Sequence, residues 1–345
     1  MAPWIAKAFR ACYAFSMRRV AISQAGQYAG LATLLLAAIW ILWTELRPPA
    51  TAANQPRHGI AITAAPLAGA GSKIGPFRLT SAAVLTSPET SFGGLSGLAA
   101  LPDGRFLAVT DAGDWLLFRP GAPSGEMGSI SMPGDVKSDR DAEAIAFTPD
   151  GRTLISLEQQ HRILGFAGHG PPLTLAGEPL YRTDTMGWPL NGGGESLAVL
   201  GDGRLIWIAE NAATADGALT ALLVAPAGLT RRIMIGAVDG FAPTDAVALD
   251  ETHLLVLHRR FTGAETAAAI SIVDLALVLA GGSAAPGRLL ARWGRDGKWP
   301  VDNMEGIALV RRKTGPPIVY LVSDDNFSAA QRTLLLQLDI IAPLR

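Results

Sequence analysis

The sequence predicts an all-β fold, a β-propeller of five blades preceded by one N-terminal transmembrane or signal helix. Three observations carry the propeller. A short pattern, a small or acidic residue before an apolar run, returns five times: at Leu95-Ser96-Gly97-Leu98, Ala142-Glu143-Ala144-Ile145, Gly194-Glu195-Ser196-Leu197, Thr244-Asp245-Ala246-Val247 and Met304-Glu305-Gly306-Ile307. Successive copies are 47, 52, 50 and 60 residues apart, the size of one four-stranded blade. The last copy runs out of chain after three strands, and Phe77 to Leu85 offers the fourth, which closes the ring and removes the last exposed sheet edge. Six blades is the alternative, if residues 260–300 hide a degenerate one. A β-sandwich does not readily give a repeat of about 50 residues.

Taken in order, the chain divides into 1–47, a signal peptide or membrane anchor; 48–75, an Ala/Pro/Gly-rich linker; and 76–345, the propeller. Leu31 to Leu46 is almost wholly apolar up to Glu45, and counting back to Tyr28 brings it near the length of a bilayer span. Lys7, Arg10, Arg18 and Arg19 precede it, so the C-terminal body is expected outside the cytoplasm, in the periplasm. The body is either anchored in the inner membrane or released, since Ala50-Thr51-Ala52 resembles a cleavage site. Met17-Arg18-Arg19 resembles the start of an ordinary bacterial signal, which leaves the true start open.

Within the body each copy reads as three or four short strands. In copy two, Glu143 to Phe147 is an inner strand, Pro149-Asp150-Gly151 a turn, Thr153 to Leu157 the return and Arg162 to Phe166 the third strand. Pro102-Asp103-Gly104 and Gly201-Asp202-Gly203 make the same turn in copies one and three, where Gly accepts positive φ. Copy four uses the looser Asp250-Glu251-Thr252, and an insertion from Arg311 to Pro317 widens copy five. The 38 glycines and 23 prolines suit many short strands joined by tight turns. A net charge of -1 gives no basic face for nucleic acid. Cys12 is the only cysteine, so neither an intrachain disulfide nor a thiolate metal site can form in the body. A monomer is expected.

The repeat places chemistry at one end of the channel. Antiparallel pairing puts the start of strand one and the end of strand two on one face. Glu143, Glu195, Asp245 and Glu305 are thereby expected to converge with Asp111, Glu158, Glu210 and Asp324, while His258 holds the second position of copy four. Like charges so close need compensation, and a hard cation with oxygen ligands, Ca²⁺, is the economical form of it. Asp325 and Asn326, beside Asp324 and Glu305, extend the expected ligand set. His161, Arg162, Arg140, His258, Arg259 and Arg260 adjoin the acids and are the other source of neutralising charge. An inner-strand acid has a purely structural alternative, binding backbone N–H groups of the next blade.

The segments Asp302-Asn303-Met304-Glu305-Gly306-Ile307, Leu321-Val322-Ser323-Asp324-Asp325-Asn326-Phe327 and Gln331-Arg332-Thr333 resemble the phytase-like domain family, also called "esterase-like activity of phytase". Phe92-Gly93-Gly94-Leu95-Ser96-Gly97-Leu98 with Asp111 resembles its opening motif, and the likeness spans 76–345. The resemblance implies a propeller similar to calcium-dependent alkaline phytases, exported in bacteria. In those enzymes calcium ions and basic side chains hold a phosphate while a metal-bound water attacks. Lysines near the expected mouth are few, Lys137 and Lys298 being the nearest, which speaks against phytate itself.

The expected activity is calcium-dependent hydrolysis of a small-molecule ester, phosphoester or lactone; the alternative is a non-catalytic periplasmic propeller that binds a ligand or protein, with structural calcium. Glu195, Glu210 and His258 are the candidate catalytic groups. Arg259, Arg260 and Arg332 are candidates for a substrate anion, and Trp188 and Trp299, which flank the loops leading into copies three and five, for stacking on a ring. Either tryptophan can instead anchor its loop, and Arg332 can instead pair with Asp324 or Asp325. Serine hydrolysis is not expected, because Gly94-Leu95-Ser96-Gly97-Leu98 fails the G-x-S-x-G elbow at its last residue and lacks its strand-turn-helix context. Gly69 to Lys73 lacks the P-loop spacing.

Overall fold

A chain of short apolar runs separated by glycine turns folds into five antiparallel sheets set around one axis. The computed structural model describes residues 56–344, apart from 133, 135, 172, 174, 177–180, 183–186, 215, 216, 227, 264 and 296. The expected N-terminal membrane or signal helix and the start of the linker lie outside the described residues. Among those described, no helix is long and apolar enough to cross a membrane.

The chain enters with β1 (His58–Ala61), β2 (Thr63–Pro66), β3 (Lys73–Ile74) and β4 (Phe77–Thr86). Blade 1 is β5 (Leu95–Ala100), β6 (Phe106–Thr110), β7 (Asp114–Phe118) and β8 (Ser124–Ser129), with β1 on its outer edge. A single helical turn, α1 (Lys137–Arg140), leads into blade 2: β9 (Ala142–Phe147), β10 (Arg152–Leu157), β11 (Arg162–Ala167) and β12 (Tyr181–Arg182). Blade 3 is β13 (Gly194–Val199), β14 (Leu205–Ala213), β15 (Leu219–Val224) and β16 (Thr230–Ile235). Blade 4 has β17 (Ala242–Ala248), β18 (His253–Phe261) and β19 (Thr266–Asp274). A turn of helix, α2 (Ala276–Leu279), and β20 (Ala284–Ala285), which pairs in parallel with β16, come before its outer strand β21 (Gly287–Gly294). Blade 5 is β22 (Asn303–Val310), β23 (Ile318–Asp324) and β24 (Leu334–Ile340), completed by β4 in antiparallel register from Leu334↔Val84 to Ile340↔Phe77. The inner strands β5, β9, β13, β17 and β22 each pack on the next, and β22 returns to β5. Five blades are therefore present, and the stretch 260–300 belongs to blade 4 with one short excursion to blade 3.

The expected linker is more than a linker. Its residues 58–66 form β1 on the edge of blade 1 and β2 on β4 of blade 5, so one extended segment fastens the first blade to the last. Ile60 and Ile62 are buried in doing so. This adds a second closure beside β4.

The apolar core lies between blades. Leu107 and Ile155 meet between blades 1 and 2, Leu154 and Trp207 between 2 and 3, and Ile206 and Val256 between 3 and 4. Leu257 and Leu321 meet between blades 4 and 5, and Leu98 and Val322 between 5 and 1. The middle strands of the blades are covered on both faces, which is why runs such as Leu254-Leu255-Val256-Leu257 show no polar alternation.

A candidate metal centre at the mouth of the channel

Every inner strand skips one residue near its start. Leu95 pairs with Thr110 and Gly97 with Val109, leaving Ser96 out. The same slip omits Glu143 in β9, Glu195 in β13, Thr244 in β17 and Glu305 in β22. Such a bulge re-aims the omitted side chain out of the sheet's ordinary alternation. The next residue, Gly97, Ala144, Ser196, Asp245 or Gly306, abuts the neighbouring inner strand. A Cβ on Gly97 would lie 2.9 Å from the Glu143 carbonyl oxygen and the Ile145 nitrogen. Across from the bulges, the second strands present Asp111, Glu158, Glu210, Arg259 and Asp324. Their backbones face Gly94, Asp141, Gly193, Ala242 and Asn303 respectively.

This frame corrects two expectations in blade 4. The residue at the bulge is Thr244 rather than Asp245, and the second position belongs to Arg259 rather than His258. Asp245 is buried and accepts hydrogen bonds from the N–H groups of Ala246 (2.8 Å) and, in the next blade, Ile307 (2.9 Å). It is a structural tie between blades, not a metal ligand. His258 is fully buried inside blade 4, where its Nε2 meets the Ser271 hydroxyl at 2.8 Å. Burial lowers it to about 3, so it stays neutral and is not available as a catalytic base.

On the side of blades 1 and 2 the acids gather tightly. Asp141, Glu143 and Glu158 each bring one carboxylate oxygen within 4.8 Å of the others. Ligands on opposite sides of a calcium ion lie about 5 Å apart, twice a bond of about 2.3–2.6 Å, so the all-oxygen set fits such an ion. Glu158 also makes carboxyl-to-carboxyl hydrogen-bond contacts with Asp141 and with Glu195, and accepts from the Gly192 N–H. Carboxylates in such contact must share a proton or a cation. Burial, then the charges of Asp141, Glu158, Asp111 and Glu305, holds Glu143 well above the usual carboxylate range. Burial pushes Glu158 up to about 7 against the pull of the Gly192 N–H. Lys137 lies above this group, 3.4 Å from Asp141 and 3.6 Å from Asp111, with its side chain 58% exposed. Asp141 was missed in the sequence because it stands just outside the repeated pattern.

On the side of blades 3, 4 and 5 an arginine sits among the acids. The Arg259 guanidinium donates to Glu210 at 2.9 Å and to the Asn303 side chain, and pairs with Glu305 at 3.0 Å. Burial raises Glu305 to about 7 although Arg259 pulls it back. Burial, then Glu210, Glu143 and Glu158, holds Glu195 well above the ordinary range, and burial, then Asp111 and Glu305, does the same for Asp324. Backbone packing fixes Glu195: a Cβ on Gly194 would strike the Trp207 ring, whose Nε1 donates to the Gly194 carbonyl at 2.8 Å.

Residues 90–327 match the family described as "Phytase-like: Esterase-like activity of phytase". The chain belongs to this phytase-like family. No curated protein matches it. Among solved structures it is similar to a catalytically inactive virginiamycin B lyase from Staphylococcus aureus bound to quinupristin, at 10% identity and TM-score 0.41, over 75% of this chain and 71% of that one. It is also similar to a putative oxidoreductase (glucose dehydrogenase) from Thermus thermophilus, at 14% identity and TM-score 0.40, over 71% and 97%. A luciferin-regenerating enzyme matches at 11% identity and TM-score 0.40, over 71% and 92%. Likenesses this distant carry no argument about chemistry, and the blade count rests on the sheet pairing described above.

Several other expected site residues of this phytase-like chain serve as structure. Asp325 spends both carboxylate oxygens on the closure between blades 5 and 1: Oδ1 accepts from the Gly94 and Phe327 N–H groups, each at 3.0 Å, and Oδ2 from the Thr333 hydroxyl at 2.9 Å. Asn326, at φ 50, forms the turn, its N–H bonded to Asp324 Oδ1 at 2.6 Å. Arg332 is tied to Asp302 and the Val301 carbonyl, each at 3.2 Å, rather than to Asp324 or Asp325. Arg260 pairs with Glu265 at 2.7 Å and stacks over Phe241. Trp188 packs edge-on against Trp207, and Trp299 against Trp293, both nearly out of solvent. Buried rings cannot stack on a ligand, so both are loop anchors.

Proposed function

We propose that this phytase-like chain is an exported hydrolase of an ester, phosphoester or lactone that uses Ca²⁺ at the acidic mouth. One observation carries the reading: Asp141, Glu143 and Glu158 bring carboxylate oxygens within 4.8 Å of one another in a partly buried channel, where they cannot all ionise without a cation. These three would hold the ion, with Asp111 and Asp324 close by in the same field. When bound there, Ca²⁺ would supply Lewis acidity to a substrate oxygen and to a water.

The chain's own groups supply the rest. Glu195 touches Glu158 and is raised well above the ordinary range, so its carboxylate suits taking a proton and returning it. Arg259, held by Glu210, Glu305 and Asn303 with its side chain 30% exposed, is the positive group at this mouth that would favour an anionic oxygen nearby. Export is supported by the apolar run 28–46 and the basic residues before it.

The test is calcium titration into the chelator-treated full chain, with a panel of aryl esters, phosphoesters and lactones, for wild type and Glu143→Gln. Calcium binding with calcium-dependent turnover is expected in wild type, and both should fall at least tenfold in a folded Glu143→Gln. Absence of calcium binding ends the metal centre. Binding without turnover of any panel member makes the protein a ligand-binding propeller instead.

A further inference from the structure

We infer that Arg259 is a resident cation that takes the place of a metal ion in one half of the mouth, so that divalent cations are confined to the half built by blades 1 and 2. The inference rests on the calcium reading above and narrows it to one region of the channel.

Position is the first argument. In the frame set by the five bulges, Arg259 stands where the other blades carry Asp111, Glu158, Glu210 and Asp324. Its bulge partner is Thr244, where blades 2, 3 and 5 carry Glu143, Glu195 and Glu305. The Thr244 hydroxyl is turned away to the Met304 carbonyl at 2.9 Å. Blade 4 thus withdraws both of the carboxylates a regular copy would supply and inserts one positive charge.

Contacts are the second argument. The guanidinium is held by Glu210 at 2.9 Å, Glu305 at 3.0 Å and the Asn303 side chain. Two carboxylates and an amide oxygen are the donors a hard cation would take. A planar fork that already satisfies them leaves such an ion neither charge nor ligands.

Mobility is the third. Arg259 lies within β18, paired to Ala242 on one side and Ala268 on the other, so its backbone is fixed by sheet on both flanks and its guanidinium by three partners. Lys137, the counter-ion of the other half, sits on the single turn α1 and is 58% exposed. A compact ammonium on a flexible stem can leave Asp111 and Asp141 to an incoming ion; Arg259 cannot leave Glu210 and Glu305 in the same way.

Calcium stoichiometry on the full chain tests this, by calorimetric titration and by metal analysis after equilibrium dialysis. Arg259→Met should bind one calcium ion more than wild type, Arg259→Lys the wild-type number. The double variant Glu210→Gln/Glu305→Gln should keep the wild-type number. An unchanged number in folded Arg259→Met, or an ion lost from the double variant, overturns the inference. If wild type binds none while Arg259→Met binds one, Arg259 is the counter-ion and the calcium hydrolase reading is what fails. If both bind one, that reading survives and the inference fails. Should Arg259→Met fold only when calcium is present, the ion has replaced the guanidinium, as inferred. Should it fold in neither condition, the double variant decides.

Discussion

Blades 2 and 4 share a strand plan and a short sequence pattern, yet only blade 2 turns acids toward the channel. In blade 2 the bulge falls on Glu143 and the facing position is Glu158. In blade 4 it falls on Thr244, one residue before the acid, and the facing position is Arg259, one residue after the histidine. Side chains on a strand alternate between faces, so a one-residue offset exchanges a channel position for a buried one. Asp245 and His258 consequently do structural work inside the molecule, while Glu143 and Glu158 stand at the mouth. The difference teaches that the bulge, and not the motif, decides which residue meets a ligand.

The sharpest way to break the comparison is to exchange roles at the two acids. Asp245→Ala removes the acceptor for the N–H groups of Ala246 and Ile307. At about 1–3 kcal/mol for each of the two buried donors left unmade, denaturant unfolding should show a loss of about 2–6 kcal/mol. Calcium affinity of the folded fraction should not change. Glu143→Gln should do the reverse: calcium affinity falls, and stability in chelator holds or rises, because a buried charge among like charges is gone. Calcium binding lost in Asp245→Asn would return that residue to the mouth.

The next effect is a pH slope. Glu158 and Glu305 titrate in the fold near 7, above the unfolded value of 4.5. Between those values the folded state keeps protons that the unfolded state has released. Stability without calcium should therefore be greatest below the unfolded value and fall as pH rises toward 7, by about 1.4 kcal/mol per unit for each group. Saturating calcium takes the place of those protons and should flatten the slope. Melting curves from pH 5 to 8, with chelator and with calcium, check this; a chelator curve that rises with pH would mean that the mouth acids are already compensated within the fold.

A smaller effect comes from the residue after the bulge. Gly97 lies against the backbone of β9, where an added Cβ would meet two atoms at 2.9 Å. Gly97→Ala should cost about 1–3 kcal/mol by overpacking. Blade 2 carries Ala144 at this place, so Ala144→Gly should cost less, about 1 kcal/mol, from lost strand preference. Equal costs in thermal unfolding would show that the inner strands have room to adjust.

How much was legible follows from the same geometry. Glycine turns, apolar runs and the interval between copies announced five blades, and the missing strand of blade 5 pointed to Phe77 to Leu85, where β4 is found. Residues 58–74 did not read as strand, because Ala, Pro and Gly have low strand preference and edge strands tolerate them. The bulge left no mark: in blade 4 Thr244 and Asp245 are both polar, and either one fits the pattern. Asp141 precedes the pattern, and only the sheet brings it beside Glu143 and Glu158. Alternation and spacing are properties of one strand, whereas the metal cluster is a property of several.

A last effect tests blade 4 against blade 2 at a single buried position. His258 occupies the place that Leu157 takes in blade 2, each paired across to the residue before the bulge. Buried against Ser271, it resists protonation down to about 3, while in the unfolded chain it takes a proton near 6.5. Between those values the unfolded state binds the extra proton, so this group stabilises the fold at higher pH and loses that contribution as pH falls. The slope is opposite in sign to that of Glu158 and Glu305, and one histidine is outweighed by two carboxylates where the windows overlap. His258→Leu should remove the histidine's share. Between pH 4.5 and 6.5 the variant's stability in chelator should fall with rising pH more steeply than wild type, by about 1.4 kcal/mol per unit. Parallel wild-type and variant curves would mean that His258 ionises in the fold, and that blade 4 has a route from its interior to water that blade 2 lacks.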